Sequence, residues 1–221
     1  MADLSMLRVG FGAKTMTETI IAILRGVRPE EVEAIGEAIL KEGISTIEVP
    51  LNSPEALRSI SKLVNAFGAD AKIGAGTVLS RHDVKAVAEV GGQIIVSPDC
   101  NPDVIGETKL AGLESYPGVA TMTECFTALR HGADGLKLFP SSVIGIDGFK
   151  AFSAVLPTGT QCYAVGGAGP DNFANWIRAG IAGFGIGTAI YAPNDRAEDV
   201  QAKARRIVEA YNVALQECSL G

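Results

Sequence analysis

Two ionisable residues stand in this chain where ionisable residues are costly. Lys137 lies in Gly135-Leu136-Lys137-Leu138-Phe139-Pro140 and Glu48 in Ile47-Glu48-Val49-Pro50-Leu51, each within an apolar run that reads as a buried strand. Burial disfavours an ammonium ion and lowers a lysine's pKa. A lysine partly neutral near pH 7 is a nucleophile for carbonyl carbon, the starting point of imine chemistry. A carboxylate converging from an opposite wall supplies the base. The plainer readings are a lysine snorkelling to a rim carboxylate and a buried structural ion pair. Against the first, Leu136 and Leu138 take the other face of the strand, so Lys137 points away from them.

Other apolar runs also end on residues with chemistry to offer. Arg25, followed by Gly26, closes Ile20-Ile21-Ala22-Ile23-Leu24. Its planar fork suits a carboxylate. Thr77, in Gly74-Ala75-Gly76-Thr77-Val78, could add a hydroxyl donor to the same carboxylate. Gly166-Gly167 and Gly187-Thr188 end two later runs. Glycine turns with free N–H groups and a helix N-terminus form a phosphate cradle. A rim ion pair for Arg25 and ordinary tight turns for the glycines are the competing readings. His82 and His131 fall on helical patterns and read as solvated, while Trp176, Cys125 and Cys162 read as packing.

The elements that must position these residues alternate regularly. Strands are expected at Ile20–Leu24, Thr46–Val49, Lys72–Val78, Ile94–Pro98, Ser115–Ala120, Gly135–Pro140, Gln161–Gly167 and Gly183–Ile190. Helices follow, opening at Pro29-Glu30-Glu31, at a cap formed by Asn52-Ser53-Pro54-Glu55, and near Arg81, Pro102, Thr123, Asp147 and Pro170. A last one runs from about Glu198 to Gln216. Gly43, Gly68, Gly91, Gly112, Gly132 and Gly180 stand where a left-handed C-cap is wanted. Short β-branched strands, apolar on both faces, are parallel strands covered by helices. Eight such units predict a single (β/α)8 TIM barrel, because a barrel gathers all the polar strand ends at one mouth. An open doubly wound sheet is the alternative. The barrel is expected over residues 18–221, with residues 1–17 as an irregular lead-in interrupted by Gly10 and Gly12.

The bulk numbers narrow the function. With 221 residues and 47% hydrophobic content, the chain can bury one large core. A net charge of −6 with scattered lysines and arginines excludes a nucleic-acid surface as the main partner. No run approaches the ~18 apolar residues of a membrane span, and no signal peptide is visible, so no membrane partner is expected. The cysteines, Cys100, Cys125, Cys162 and Cys218, form no CxxC pair, and with only two histidines no metal site is expected. They read as the reduced thiols of a cytoplasmic enzyme.

Ile23-Leu24-Arg25-Gly26, Ile47-Glu48-Val49-Pro50-Leu51, Gly74-Ala75-Gly76-Thr77-Val78-Leu79, Leu136-Lys137-Leu138-Phe139-Pro140 and Ala164-Val165-Gly166-Gly167 occur in this order. Together they resemble the 2-keto-3-deoxy-6-phosphogluconate aldolase family from about residue 18 onward. Asn52-Ser53-Pro54, Pro140-Ser141-Ser142 and Val165 are closer to its 2-dehydro-3-deoxy-6-phosphogalactonate branch. The phosphogluconate branch tends to carry Pro-Ala-Glu and threonine at the latter two places. Thr188 departs from the usual serine, and Asp99-Cys100-Asn101 and a slightly short Pro102–Tyr116 segment are also unusual.

The resemblance implies a class I aldolase that needs no cofactor, acting on a phosphorylated 2-keto-3-deoxy sugar acid as a homotrimer. Lys137 would form the imine and Glu48 would move the proton, through a bound water. Arg25 and Thr77 would hold the carboxylate, and Gly166, Gly167, Gly187 and Thr188 the phosphate. Phe139 would pack beside the pyruvate-derived carbons. The phosphogluconate epimer and 4-hydroxy-2-oxoglutarate remain open as substrates. A sugar-phosphate isomerase would have no need of Lys137, and a silent sugar-phosphate binder would gain nothing from it.

Overall fold

A computed structural model describes residues 17–219; nearly all of the expected lead-in therefore lies outside the described residues. Strands and helices alternate. They are β1 (Thr17–Ile23), α1 (Val32–Lys41), β2 (Ile44–Pro50), α2 (Ala56–Phe67), β3 (Lys72–Gly76), α3 (Arg81–Glu89), β4 (Ile94–Val96), α4 (Pro102–Leu110), β5 (Glu114–Tyr116), β6 (Gly118–Val119), α5 (Met122–Arg130), β7 (Leu136–Leu138), α6 (Ser141–Ser153), β8 (Cys162–Val165), α7 (Phe173–Arg178), β9 (Gly183–Ile186) and α8 (Ala197–Ser219).

Every strand pairing is parallel, in the order β5-β4-β3-β2-β1-β9-β8-β7-β6. The two ends of that list are halves of one strand. Pro117 has no N–H to give a ladder and splits Ser115–Ala120 into β5, which pairs β4, and β6, which pairs β7. The sheet thus closes into eight staves, a TIM barrel, and the open doubly wound alternative is ruled out.

Alternation along the staves divides the core. Ile20, Ala22 and Leu24 of the first stave, and Leu136 and Leu138 of β7, join the large cluster beneath the helices. Ile94, Val96 and Tyr116 form a separate cluster, with Tyr163 packed against it. Trp176 packs on Phe149, and Cys125 and Cys162 are buried in the main core.

Local signals mostly land where expected. Gly43, Gly91, Gly112, Gly132 and Gly180 take positive φ, but Gly68 stays right-handed at φ −62°. α6 opens at Ser141, directly after Pro140, rather than near Asp147. Gly145, at φ 70° and ψ 169°, interrupts it in a conformation that side chains resist, so a first turn precedes the expected helix. The cap expected of Asn52-Ser53-Pro54-Glu55 is not built. α2 starts at Ala56 with Glu55 left-handed and no side-chain cap, because Asn52 and Ser53 are engaged elsewhere.

Candidate active site

The C-terminal ends of the staves converge as a barrel requires, and β2 and β7 stand four staves apart, on opposite walls. Glu48 on β2 is 1% exposed and Lys137 on β7 is 7% exposed. Glu48 Oε2 is buried with no hydrogen-bond partner. Lys137 Nζ lies 4.7 Å from the centroid of the Phe139 ring, over its face. This is a weak partner for a cation compared with a carboxylate in contact.

The electrostatics follow from this burial. Desolvation is the largest influence on Glu48 and pushes its pKa up to about 7, against the opposing pull of Lys137 and then Arg25. Desolvation also dominates at Lys137 and lowers its pKa; Glu48 works against that shift and Arg25 adds to it. At neutral pH one carboxyl is poised to take or give a proton, next to an amine biased toward its nucleophilic form.

Arg25 sits at the mouth. Its Nη1 donates to Asn52 Oδ1 at 2.6 Å, and both Nη atoms lie 3.5 Å from Thr77 Oγ1. Thr77 has φ 55°, a strained choice for a β-branched residue and one that clusters at functional sites. Ser53 Oγ accepts from the N–H of Gly26, fixing the turn that aims Arg25. Asn52 and Ser53 are therefore site residues whose cap-like sequence disguised them.

A cavity of about 480 Å³ runs from Lys137 and Phe139, past Arg25 and Val165, to Gly166, Gly167, Gly187 and Thr188. Val165 is a buried wall. Gly166 and Gly167 take φ 79° and 107°, and a Cβ on Gly167 would lie 2.6 Å from Ser142 Cβ, so only glycine fits there. Gly166 O accepts from Ser142 N–H and Ser141 Oγ, each at 2.9 Å, which pins the first turn of α6 to the corner. The strand expected to run on to Ile190 ends at Ile186, and a single turn follows, closed by the N–H groups of Ile190 and Tyr191 on Gly187 O. Such a turn leaves its leading N–H groups, here those of Thr188 and Ala189, without partners inside it. Tyr191 also lines the cavity and donates to Glu31 Oε1 at 2.9 Å, a contribution that its sequence neighbourhood did not signal.

All ten residues singled out from sequence are thus brought to one face. His82 and His131 are exposed and stand apart from it. No group of three or more histidine, cysteine or acidic side chains suited to a metal occurs among the described residues. Another cavity, of about 520 Å³, opens at the strand N-termini around Ser45, Lys72, Gln93 and Glu114. It is the wrong end of a barrel for catalysis.

A family model described as KDPG and KHG aldolase matches residues 12–205. The 2-dehydro-3-deoxy-6-phosphogalactonate aldolase of Escherichia coli (strain K12) is 45% identical over 197 residues, 89% of this chain and 96% of that protein. A solved structure described as native KDPGal superposes with a TM-score of 0.87 at 45% identity, over 89% of this chain and 96% of that one. The KDPG aldolase of Legionella pneumophila, solved with pyruvate captured as a covalent carbinolamine intermediate, superposes with a TM-score of 0.76 at 26% identity. That match covers 89% of this chain and 94% of the other. The chain belongs to the KDPG and KHG aldolase family and is an aldolase, a carbon–carbon lyase.

Proposed function

We propose that the protein cleaves 2-dehydro-3-deoxy-6-phospho-D-galactonate to pyruvate and D-glyceraldehyde 3-phosphate through an imine on Lys137. The observation that carries the reading is the pair of buried ionisable groups on opposite staves, of which Lys137 lines a cavity that also takes in Gly166, Gly167 and Gly187. Neutral Lys137 Nζ attacks the C2 ketone, and loss of water with uptake of one proton from solvent gives the protonated imine. Ionised Glu48 takes the C4 hydroxyl proton. The C3–C4 bond breaks, its electrons pass into the imine as an enamine, and D-glyceraldehyde 3-phosphate leaves. Glu48 returns its proton to C3, and water hydrolyses the resulting imine to pyruvate and free Lys137.

Arg25 and Thr77 hold the C1 carboxylate in this reading, with Asn52 steadying the guanidinium. Gly166, Gly167, Gly187 and Thr188 hold the C6 phosphate, and Phe139 shields the pyruvate-derived carbons from water. The covalent pyruvate adduct described for the Legionella relative supports the imine route. Identity of 45% to a phosphogalactonate aldolase, against 26% to that KDPG aldolase, supports the galactonate epimer, as do Val165 and Asn52-Ser53-Pro54.

Pyruvate release measured on both C4 epimers and on 4-hydroxy-2-oxoglutarate tests the assignment. The expected order places the galactonate epimer first in kcat/KM. Preference for the gluconate epimer would move the protein to the other branch, and silence on all three would remove the reading.

We also read the protein as a cytoplasmic homotrimer, on its resemblance to the family. Among the described residues no helix is long and apolar enough to cross a membrane. Light scattering coupled to size exclusion should give three times the 23.0 kDa chain mass.

A further inference from the structure

β2 and β3 run side by side, with Glu48 registered on Gly74 and Pro50 on Gly76. The Glu48 carboxylate lies against the bare Cα of Gly76. A Cβ at Gly76 would stand 2.5 Å from Oε1 and overlap Cδ and Oε2 outright. Gly76 closes β3 without a positive φ, so its backbone conformation does not demand glycine. What demands it is space. Glu48 Oε2 has no hydrogen-bond partner, so no bond to that oxygen fixes the carboxylate. The next residue, Thr77, is held in a left-handed conformation and in reach of Arg25, so the end of β3 cannot easily step aside.

We infer that Gly76 is a positioning residue for Glu48: its missing side chain is the recess that seats the carboxylate across the barrel from Lys137. This rests on Glu48 as the proton carrier of the proposed reaction. A methyl group in the recess must turn the carboxylate out of line with C4 and C3. Imine formation at Lys137 does not need that alignment, whereas proton transfer does.

The test uses the full chain carrying Gly76→Ala, with Glu48→Gln as reference. Three readouts are taken: borohydride-trapped pyruvate on Lys137, exchange of pyruvate C3 hydrogens with D2O by NMR, and substrate cleavage. Gly76→Ala should keep the Lys137 adduct while exchange and cleavage fall about a hundredfold, the usual cost of an ångström-scale misplacement. Glu48→Asp draws the carboxylate back by one methylene. Added to Gly76→Ala, it should raise exchange about tenfold over Gly76→Ala alone, although it slows the wild type.

Exchange by Gly76→Ala within about threefold of wild type, or no recovery with aspartate, would overturn the inference and leave Glu48 untouched. Wild-type exchange by Glu48→Gln would instead sink the role of Glu48 itself. Should Gly76→Ala fold poorly, thermal melting of Gly76→Ala, Glu48→Ala and their double variant reads the same recess. The alanine at 76 should destabilise only when Glu48 is present, and equal loss in both backgrounds would refute the seat.

Discussion

At the N-terminal end of the barrel, Tyr116 donates its hydroxyl to Glu114 Oε2 at 2.6 Å, and Lys72 Nζ lies 2.7 Å from Glu114 Oε1. At the C-terminal end, Glu48 Oε2 has no partner and Lys137 faces an aromatic ring. Both ends place a lysine and a glutamate on barrel strands, but one set is satisfied by its neighbours, whereas in the other Glu48 Oε2 is not. Satisfied groups hold staves together and keep ordinary reactivity. Unsatisfied, desolvated groups cost stability and take shifted pKa values, the condition in which a side chain can do chemistry.

Substitutions at the two ends should therefore separate cleanly. The largest effect belongs to Lys137→Met, which removes the nucleophile. Cleavage should fall to background and no pyruvate adduct should be trapped, while the protein stays folded by circular dichroism. Glu48→Gln comes next. It should still form the imine but cleave about 10²–10⁴-fold more slowly, the range lost with a general acid–base group, as single-turnover kinetics would show. Above pH 7, where Glu48 is ionised, the substitution also removes the charge that holds Lys137's pKa up, so imine formation there should not slow.

Wild-type activity should carry an acid limb near pH 7. Glu48 must be ionised to take the C4 proton, its pKa lies at about 7, and the rate therefore falls as pH drops through that value. Arg25→Met should raise KM about ten- to a hundredfold, as loss of charge-assisted bonds to a carboxylate does. It should also move the acid limb upward, because Arg25 lowers the Glu48 pKa. The smallest change is expected at the other end. Tyr116→Phe should leave kcat intact and lower the melting temperature by about 2–4 °C, the equivalent of about 1 kcal/mol in a chain this size. A large loss of kcat there would break the distinction between the two ends.

Lys137 and Glu48 were legible because a charge inside an apolar run is an anomaly that a sequence displays directly. The eight staves were legible because short, doubly apolar strands between amphipathic helices have few other folds open to them. Asn52 and Ser53 were hidden by their own chemistry. Asn-Ser-Pro-Glu is a helix-cap signal, and only the approach of Arg25 and Gly26 from β1 diverts it. The seat at Gly76 was hidden for a related reason, since the glycine answers to a side chain on the neighbouring strand. The glycines that close β8 and β9 could be read, but not that the last strand stops at Ile186 and gives way to a single turn. The apolar pattern runs on to Ile190 and reads as strand.

If Lys137 is the imine-forming amine, borohydride reduction with pyruvate will mark it. Peptide mass spectrometry should then find a single reduced adduct, on the peptide carrying Lys137, abolished by Lys137→Met. An active, folded protein with no adduct, or with its adduct on another lysine, would contradict that role.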